Sequence, residues 1–158
     1  MNYFDRISYD PLTGIFTWAK PGHGVRVGTV AGSKTSEGYW QVCLGFKIYR
    51  AHRLAWFLKN GEWPSGPIDH INGDRLDNRI ANLRVATHSV NMQNKRVAMS
   101  NNKSCGLLGV TWNRQHKKWQ SKIMVNKKAH HVGLFDDPHV AHAAYVEKKR
   151  LLHAGCTI

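Results

Sequence analysis

Short apolar runs, broken every few residues by glycine, proline or Asx residues, fill the first half of the chain and predict small strands. Ile15 to Trp18 reads as a strand that follows the turn Asp10-Pro11-Leu12-Thr13-Gly14. His23 to Gly38 is glycine-rich and basic, as an exposed loop would be. Tyr39 to Leu44 and Phe46 to Arg50 flank Gly45 as a hairpin. From Ala51 to Asn60 the period becomes helical, with Leu54, Phe57 and Leu58 on one face and Gly61 as the stop. The turn formers Pro64, Ser65, Gly66 and Pro67 precede a short strand ending at Asp69-His70. Asn72 to Asn78 is polar and turn-forming. Apolar positions return at Ile80, Leu83 and Val85, so a second strand covers Leu83 to Ala86. Thr87 suits the N-cap of a helix from about His88 to Val97. The stretch from Ile68 onward is therefore strand, loop, strand, helix.

Residues 95–106, KRVAMSNNKSCG, are polar and hold turn formers, which predicts a flexible linker at 98–104 between domains at 1–97 and 105–158. Beyond it, Gly109 to Asn113 reads as a strand and Arg114 to Lys118 as a basic turn. Trp119 to Val125 alternates, with Trp119, Ser121, Ile123 and Val125 set against Gln120, Lys122 and Met124. A turn at Asn126 to Lys128 leads to a third strand, Ala129 to Phe135. Asp136-Asp137-Pro138 opens a helix, acids at its positive end and proline in its first turn. Ala141, Ala144, Tyr145, Lys148 and Leu152 recur at helical spacing, and Gly155 ends it. Three antiparallel strands with one helix across a face leave the other face free. The fold class expected is α+β.

Four polar residues of the central stretch carry candidate chemistry: Asp69, His70, Asn82 and Asn91. A neutral imidazole with a pKa of about 6.5 can take a proton from water near neutral pH, so His70 is a candidate general base. Asp69 offers a hard anionic oxygen and Asn91 a neutral carbonyl oxygen. Mg²⁺ or Mn²⁺ takes such ligands and keeps other positions for water and phosphate. Asn82 is placed to accept a hydrogen bond from the imidazole and fix its tautomer. His88, three residues before Asn91 on one helix face, is an accessory ligand or phosphate contact. Arg53, at the start of the preceding helix, is a second accessory candidate; beside it His52 reads as a residue hydrogen-bonded inside the fold. An EF-hand is excluded, because Gly73 falls four residues after Asp69, out of register for a calcium loop.

These residues, with the surrounding DHINGDRLDNR and NLR, resemble the HNH endonucleases of the ββα-metal type, and phage-encoded homing and free-standing enzymes in particular. The resemblance implies that His70 is the general base, that Asn82 positions it, and that Asp69 and Asn91 bind one Mg²⁺ or Mn²⁺ ion per active site. The last position is asparagine where many members carry histidine. GYWQVCLGFKIYRAHRLAWFLKNGEWP resembles the segment that precedes the catalytic unit in phage HNH proteins, which implies that it packs on that unit.

Charge then points to the partner. Of the 158 residues, 23 are Lys or Arg and 10 are Asp or Glu, a net charge of +13. The excess is shared, with 13 bases against 7 acids over 1–98 and 10 against 3 over 99–158. A polyanion such as double-stranded DNA is the natural partner, bound in a strongly salt-dependent way. No run approaches the ~20 apolar residues of a membrane span, and MNYFDRISYD lacks the apolar segment of a signal peptide. Three widely spaced cysteines indicate neither a zinc finger nor a disulfide framework, and so a reducing compartment, the cytoplasm (of the host cell if phage-encoded).

GVTWN, KKWQSKI, VGLFDDPHVAHAAY and the closing helix resemble the AP2 DNA-binding domain. That family enters the major groove with its exposed sheet face, which implies contacts from Thr111, Asn113, Arg114, Lys122, Lys128 and His131. Thr111, Asn113 and Met124 stand where plant relatives carry arginine, and His131 where they carry tryptophan, so the target sequence does not transfer. Trp112 and Trp119 fit either core or groove. The reading is a metal-dependent, site-preferring DNA endonuclease of homing or nicking type; the alternatives are a non-enzymatic DNA-binding regulator with a decayed HNH unit and an RNA-binding or RNA-cleaving protein. One active site cuts one strand, so a monomer on DNA nicks, whereas a double-strand break requires a dimer or two visits.

Overall fold

Frequent turn residues keep the strands of the first half short, and among the described residues three segments form α-helices. The computed structural model describes residues 3–98, 104–153 and 155–157. The chain divides into two units, Met1–Thr87 and His88–Ile158.

In the first unit a 3-10 turn, Tyr3–Arg6, leads into β1 (Ile7–Tyr9), which pairs antiparallel with β2 (Phe16–Trp18). The intervening turn is closed by Asp10, whose carboxylate accepts from the Leu12 N–H at 2.9 Å and the Thr13 hydroxyl at 2.8 Å. β3 (Ser33–Lys34), β4 (Trp40–Leu44) and β5 (Lys47–Arg50) form an antiparallel sheet in that order. The β4–β5 hairpin turns on two left-handed residues, Gly45 and Phe46. Phe46 therefore belongs to the turn and not to the second strand, where the sequence pattern had put it. α1 (Ala51–Asn60) has the expected bounds and stops at left-handed Gly61, whose N–H donates to the Phe57 carbonyl at 2.8 Å. β6 (Ile68–His70) and β7 (Leu83–Val85) make a two-stranded antiparallel ribbon, with a 3-10 turn at Ile80–Asn82 leading into β7.

One core unites these pieces. Ile7, Phe16, Val42, Leu44, Leu54, Ala55, Ile68 and Leu83 are all buried in it, so β6 and β7 are held by the same apolar cluster that seats α1. The β1–β2 turn also reaches the ribbon. The Tyr9 hydroxyl donates to the Asn78 carbonyl at 2.8 Å, and the Ile80 N–H to the Pro11 carbonyl at 3.1 Å. A Cβ on Gly14 would meet the Arg79 nitrogen at 2.5 Å, so only glycine permits this approach.

In the second unit, α2 (His88–Gln93) precedes β8 (Val110–Asn113), β9 (Lys118–Val125) and β10 (Lys128–Phe135), an antiparallel sheet in the order β10-β9-β8. α3 (Pro138–Leu152) packs on it. Asp137 caps α3 by accepting from the His139 and Val140 N–H groups at 2.7 and 3.0 Å, with Pro138 in the first turn. Ala141, Tyr145 and Lys149 form the buried face, so Lys149 and not Lys148 lies inward. Its stem fills the core beside Tyr145 and its ammonium donates to the Lys95 carbonyl, which lets a lysine occupy a site only 1% exposed. α2 ends at Gln93, short of the expected Val97, because the next turn tightens and buried Asn94 is tied through its side chain to the Thr157 hydroxyl. Most of the expected 98–104 linker, residues 99–103, lies outside the described residues. The whole is a mixed α and β chain of several small sheets and few helices. Among the described residues no helix is long and apolar enough to cross a membrane.

Candidate active site

The ribbon register determines the first relation at the site. Asp69 pairs directly with Arg84, and His70 with Leu83. Cross-strand neighbours share a face, and the Arg84 guanidinium accordingly donates from Nε and from a terminal nitrogen to Asp69 Oδ2, at 3.0 and 2.7 Å. Strand alternation turns Asp69 and His70 toward opposite faces of the ribbon. Both are only 5% exposed. Removing one member of a largely buried pair strands the other charge in a dry site. Arg84→Met should therefore destabilise the protein by about 3 kcal/mol, measured as a lower urea midpoint with an unchanged slope; an unchanged midpoint would show that the pair contributes nothing.

His70 is enclosed by rings. The His52 imidazole stands edge-on to it, with centroids 5.2 Å apart and planes at 79°, and the Tyr39 ring is 6.2 Å away. His52 is 9% exposed and its Nδ1 has no hydrogen-bond partner, so that nitrogen does not make the internal hydrogen bond expected of the residue, and the ring packs against Tyr39 and His70. Burial pushes the His70 pKa below its ordinary value. The Asn78 side chain and the Asp69, Asp74 and Asp77 carboxylates oppose that shift without cancelling it. His52 is pushed down to about 3, first by burial and then by the neighbouring His70, Arg53 and Arg50. Both rings are thus neutral at neutral pH, and a neutral His70 can accept a proton.

Asn82 organises the loop between the strands. Its Oδ1 accepts from the Asn72 N–H at 2.9 Å and its Nδ2 donates to the Asp77 carbonyl at 2.8 Å. Both bonds of the side chain go to this loop and not to the imidazole. Two backbone bonds continue the staple, from the Ile71 N–H to the Asn82 carbonyl at 2.8 Å and from the Gly73 N–H to the His70 carbonyl at 2.9 Å. Asn82 therefore acts on His70 through the backbone on either side of it. Asn78, 2% exposed and facing the imidazole, is a further neighbour of His70 that turn propensity alone does not single out. Its signal lay in the LDNR run after the loop.

Of the accessory candidates, Arg53 donates to the Gly66 and Pro64 carbonyls at 3.0 and 3.3 Å, holding the turn that launches β6. His88 and Asn91 lie on α2, in the second unit, both exposed. No group of three or more His, Cys, Asp or Glu side chains among the described residues is arranged to hold a metal. The Asp69 carboxylate and the Asn91 carboxamide each offer a hard oxygen, a ligand type that Mg²⁺ or Mn²⁺ takes while keeping several water and phosphate ligands.

In the second unit the register groups most of the candidate DNA contacts. Thr111 pairs with Gln120, Asn113 with Lys118, and Lys122 with His131. All therefore lie on the face opposite Val110, Ser121 and Ile123, which are buried under α3. Asn113 Oδ1 also accepts from the His116 N–H at 3.1 Å, bracing the turn that exposes Arg114. Lys128 pairs with Val125 and so falls on the other face, at the exposed end of β10. Trp112 and Trp119 pair across strands on the helix side, edge-to-face at 5.0 Å, with Trp112 still 45% exposed.

Residues 49–93 match the HNH endonuclease family, a stretch that contains Arg53, Asp69, His70, Asn82, His88 and Asn91. Protein 3.8 of Escherichia phage T7 is 34% identical over 86 residues, which span 54% of this chain and 69% of that protein. No solved structure shows a significant match. With an Asp-His strand end, a stapled loop and a following helix inside the matched stretch, this chain belongs to the HNH endonuclease family.

Proposed function

We propose that the protein is a metal-dependent endonuclease that hydrolyses phosphodiester bonds in double-stranded DNA, nicking as a monomer with site preference, in the manner of phage homing and free-standing enzymes. The observation that carries this reading is the buried imidazole of His70 at the end of β6, next in sequence to a buried carboxylate and inside the family stretch.

His70 accepts the proton of the attacking water. The rings of His52 and Tyr39 restrict its plane, and Asn82 fixes the backbone that carries it. Asp69 and Asn91 are the proposed ligands; Arg84 engages Asp69 through Oδ2, and a carboxylate can serve a guanidinium and a cation on different oxygens. When bound, a Mg²⁺ or Mn²⁺ ion supplies Lewis-acid stabilisation of the phosphoryl and departing oxygens. The division of labour proposed is a catalytic domain at 1–97 and an AP2-like DNA-binding domain at 105–158. The exposed sheet face with Thr111, Asn113, Lys122 and His131 would enter the groove, and Arg114 and Lys128 would contact the backbone.

The test is incubation of the purified protein with supercoiled plasmid in Mg²⁺ or in EDTA. The expected product is open-circular DNA in Mg²⁺ alone. No metal-dependent nicking across plasmid and genomic DNA would overturn the proposal in favour of a non-enzymatic binder, and preferential cleavage of a structured RNA would redirect it to that substrate.

A further inference from the structure

Tyr39 stands between the proposed base and two guanidiniums. Its ring centroid is 6.2 Å from that of His70, while the guanidinium carbons of Arg75 and Arg50 lie 4.9 and 5.2 Å from it. The three residues come from separate pieces of chain: the approach to β4, the β6–β7 loop and the end of β5. Glu37 links them. Its carboxylate receives Arg50 at 2.7 Å and its backbone carbonyl receives Arg75 at 2.9 Å, with the Thr35 hydroxyl accepting from Arg50 at 3.2 Å.

Several features distinguish this cluster from ordinary surface arginines. The Glu37 carboxylate pairs with Arg50 alone, and Arg75, held by the Glu37 backbone carbonyl, has no ion-pair partner among the described residues. Each guanidinium lies over the Tyr39 ring, a cation–π contact that limits its freedom before an anion arrives, and among those residues Arg75 makes a single bond through one terminal nitrogen, to the Glu37 carbonyl. Arg75 is five residues beyond His70 on a loop already stapled by Asn72, Asp77 and Asn82, so its backbone is fixed relative to the imidazole. The Arg50–Glu37 pair is exposed, which makes it weak and exchangeable for a phosphate.

We propose that Arg75 and Arg50, stacked on Tyr39, form an anion clamp that grips a backbone phosphate of the DNA strand beside the one being cut. Glu37 keeps Arg50 in position until that phosphate arrives. The clamp rests on the reading of the protein as a DNA endonuclease. It fixes register at the active site without reading bases, a task distinct from that of the sheet in the second unit.

The test uses the full chain and a duplex oligonucleotide. Affinity is measured in EDTA over a series of KCl concentrations, and cleavage kinetics in Mg²⁺. Arg75→Gln should reduce the slope of log affinity against log salt by about one, raise KM roughly five- to tenfold, and leave kcat within about twofold. Arg75→Lys should restore the slope but only part of KM, because the charge returns without the planar fork. Lys59→Gln makes the same charge change at an exposed position past the site and should move neither quantity. Unchanged slope and KM in Arg75→Gln, or an equal change in Lys59→Gln, would overturn the clamp while wild-type nicking left the endonuclease reading standing. Failure of the wild type to cut any DNA would remove that reading first, and the clamp with it.

Discussion

Substituting His70 by alanine should lower metal-dependent DNA cleavage by about three orders of magnitude, within the 10²–10⁴ range of a positioned general base, while duplex affinity stays within about twofold. The two readouts separate because the imidazole is 5% exposed and enclosed by His52 and Tyr39, so it offers little surface to DNA outside the reacting position. The ring has no apolar substitute in this role, since neither Phe nor Leu accepts a proton. His70→Gln provides the folding control, because it retains a polar side chain at the end of β6 and should be as inactive as the alanine variant. Cleavage retained by either variant would remove His70 from the base role. Loss of DNA binding with a lowered melting temperature would make it a structural residue.

The parts of this site that could be read from the sequence are those governed by neighbours along the chain. The helical period from Ala51 to Asn60 and its glycine stop require only local propensity, and the structure reproduces both bounds. The Asp69-His70 strand end was equally legible, because turn formers bracket it on both sides. The Asp69–Arg84 pair was not, since it depends on the register closed across a 12-residue loop, and nothing local aligns position 69 with 84 and not with 83 or 85. Asn82 was recognised as important, but its partners were not, because its two bonds define the shape of a loop that propensity leaves open. The enclosure of His70 by His52 and Tyr39, and the packing of Arg50 and Arg75 over the same tyrosine, join five pieces of chain that only the assembled core brings together. The early end of α2 has the same origin, in a contact between Asn94 and Thr157. Lys149 shows the limit of period arguments. A pattern that treats lysine as a surface residue cannot tell which of two adjacent lysines will place its amine on a backbone carbonyl.

Acidification should destabilise the protein well above the pH at which its carboxylates protonate, and His52 should account for much of that loss. In the fold His52 stays neutral until about pH 3, chiefly because it is buried; in the unfolded chain it titrates near 6.5. Between those values the unfolded state holds a proton that the folded state does not. Stability is therefore fully present above about 6.5 and falls as the pH drops toward 3, by at most about 1.4 kcal/mol per unit for this residue. His70, shifted in the same direction by its own burial, adds to the slope. His52→Phe removes one titrating ring and, with it, a buried Nδ1 that has no partner to lose, so the substitution strands no new polar group. Urea unfolding of wild type and His52→Phe at pH 7, 6 and 5 should show a steep fall for the wild type and a shallower one for the variant. The comparison is of slopes, so any overpacking by the larger ring shifts both ends of the variant's curve alike and does not obscure the result. Parallel curves would mean that His52 is already protonated in the fold, and that the enclosure around the His70 imidazole is wetter than its packing implies.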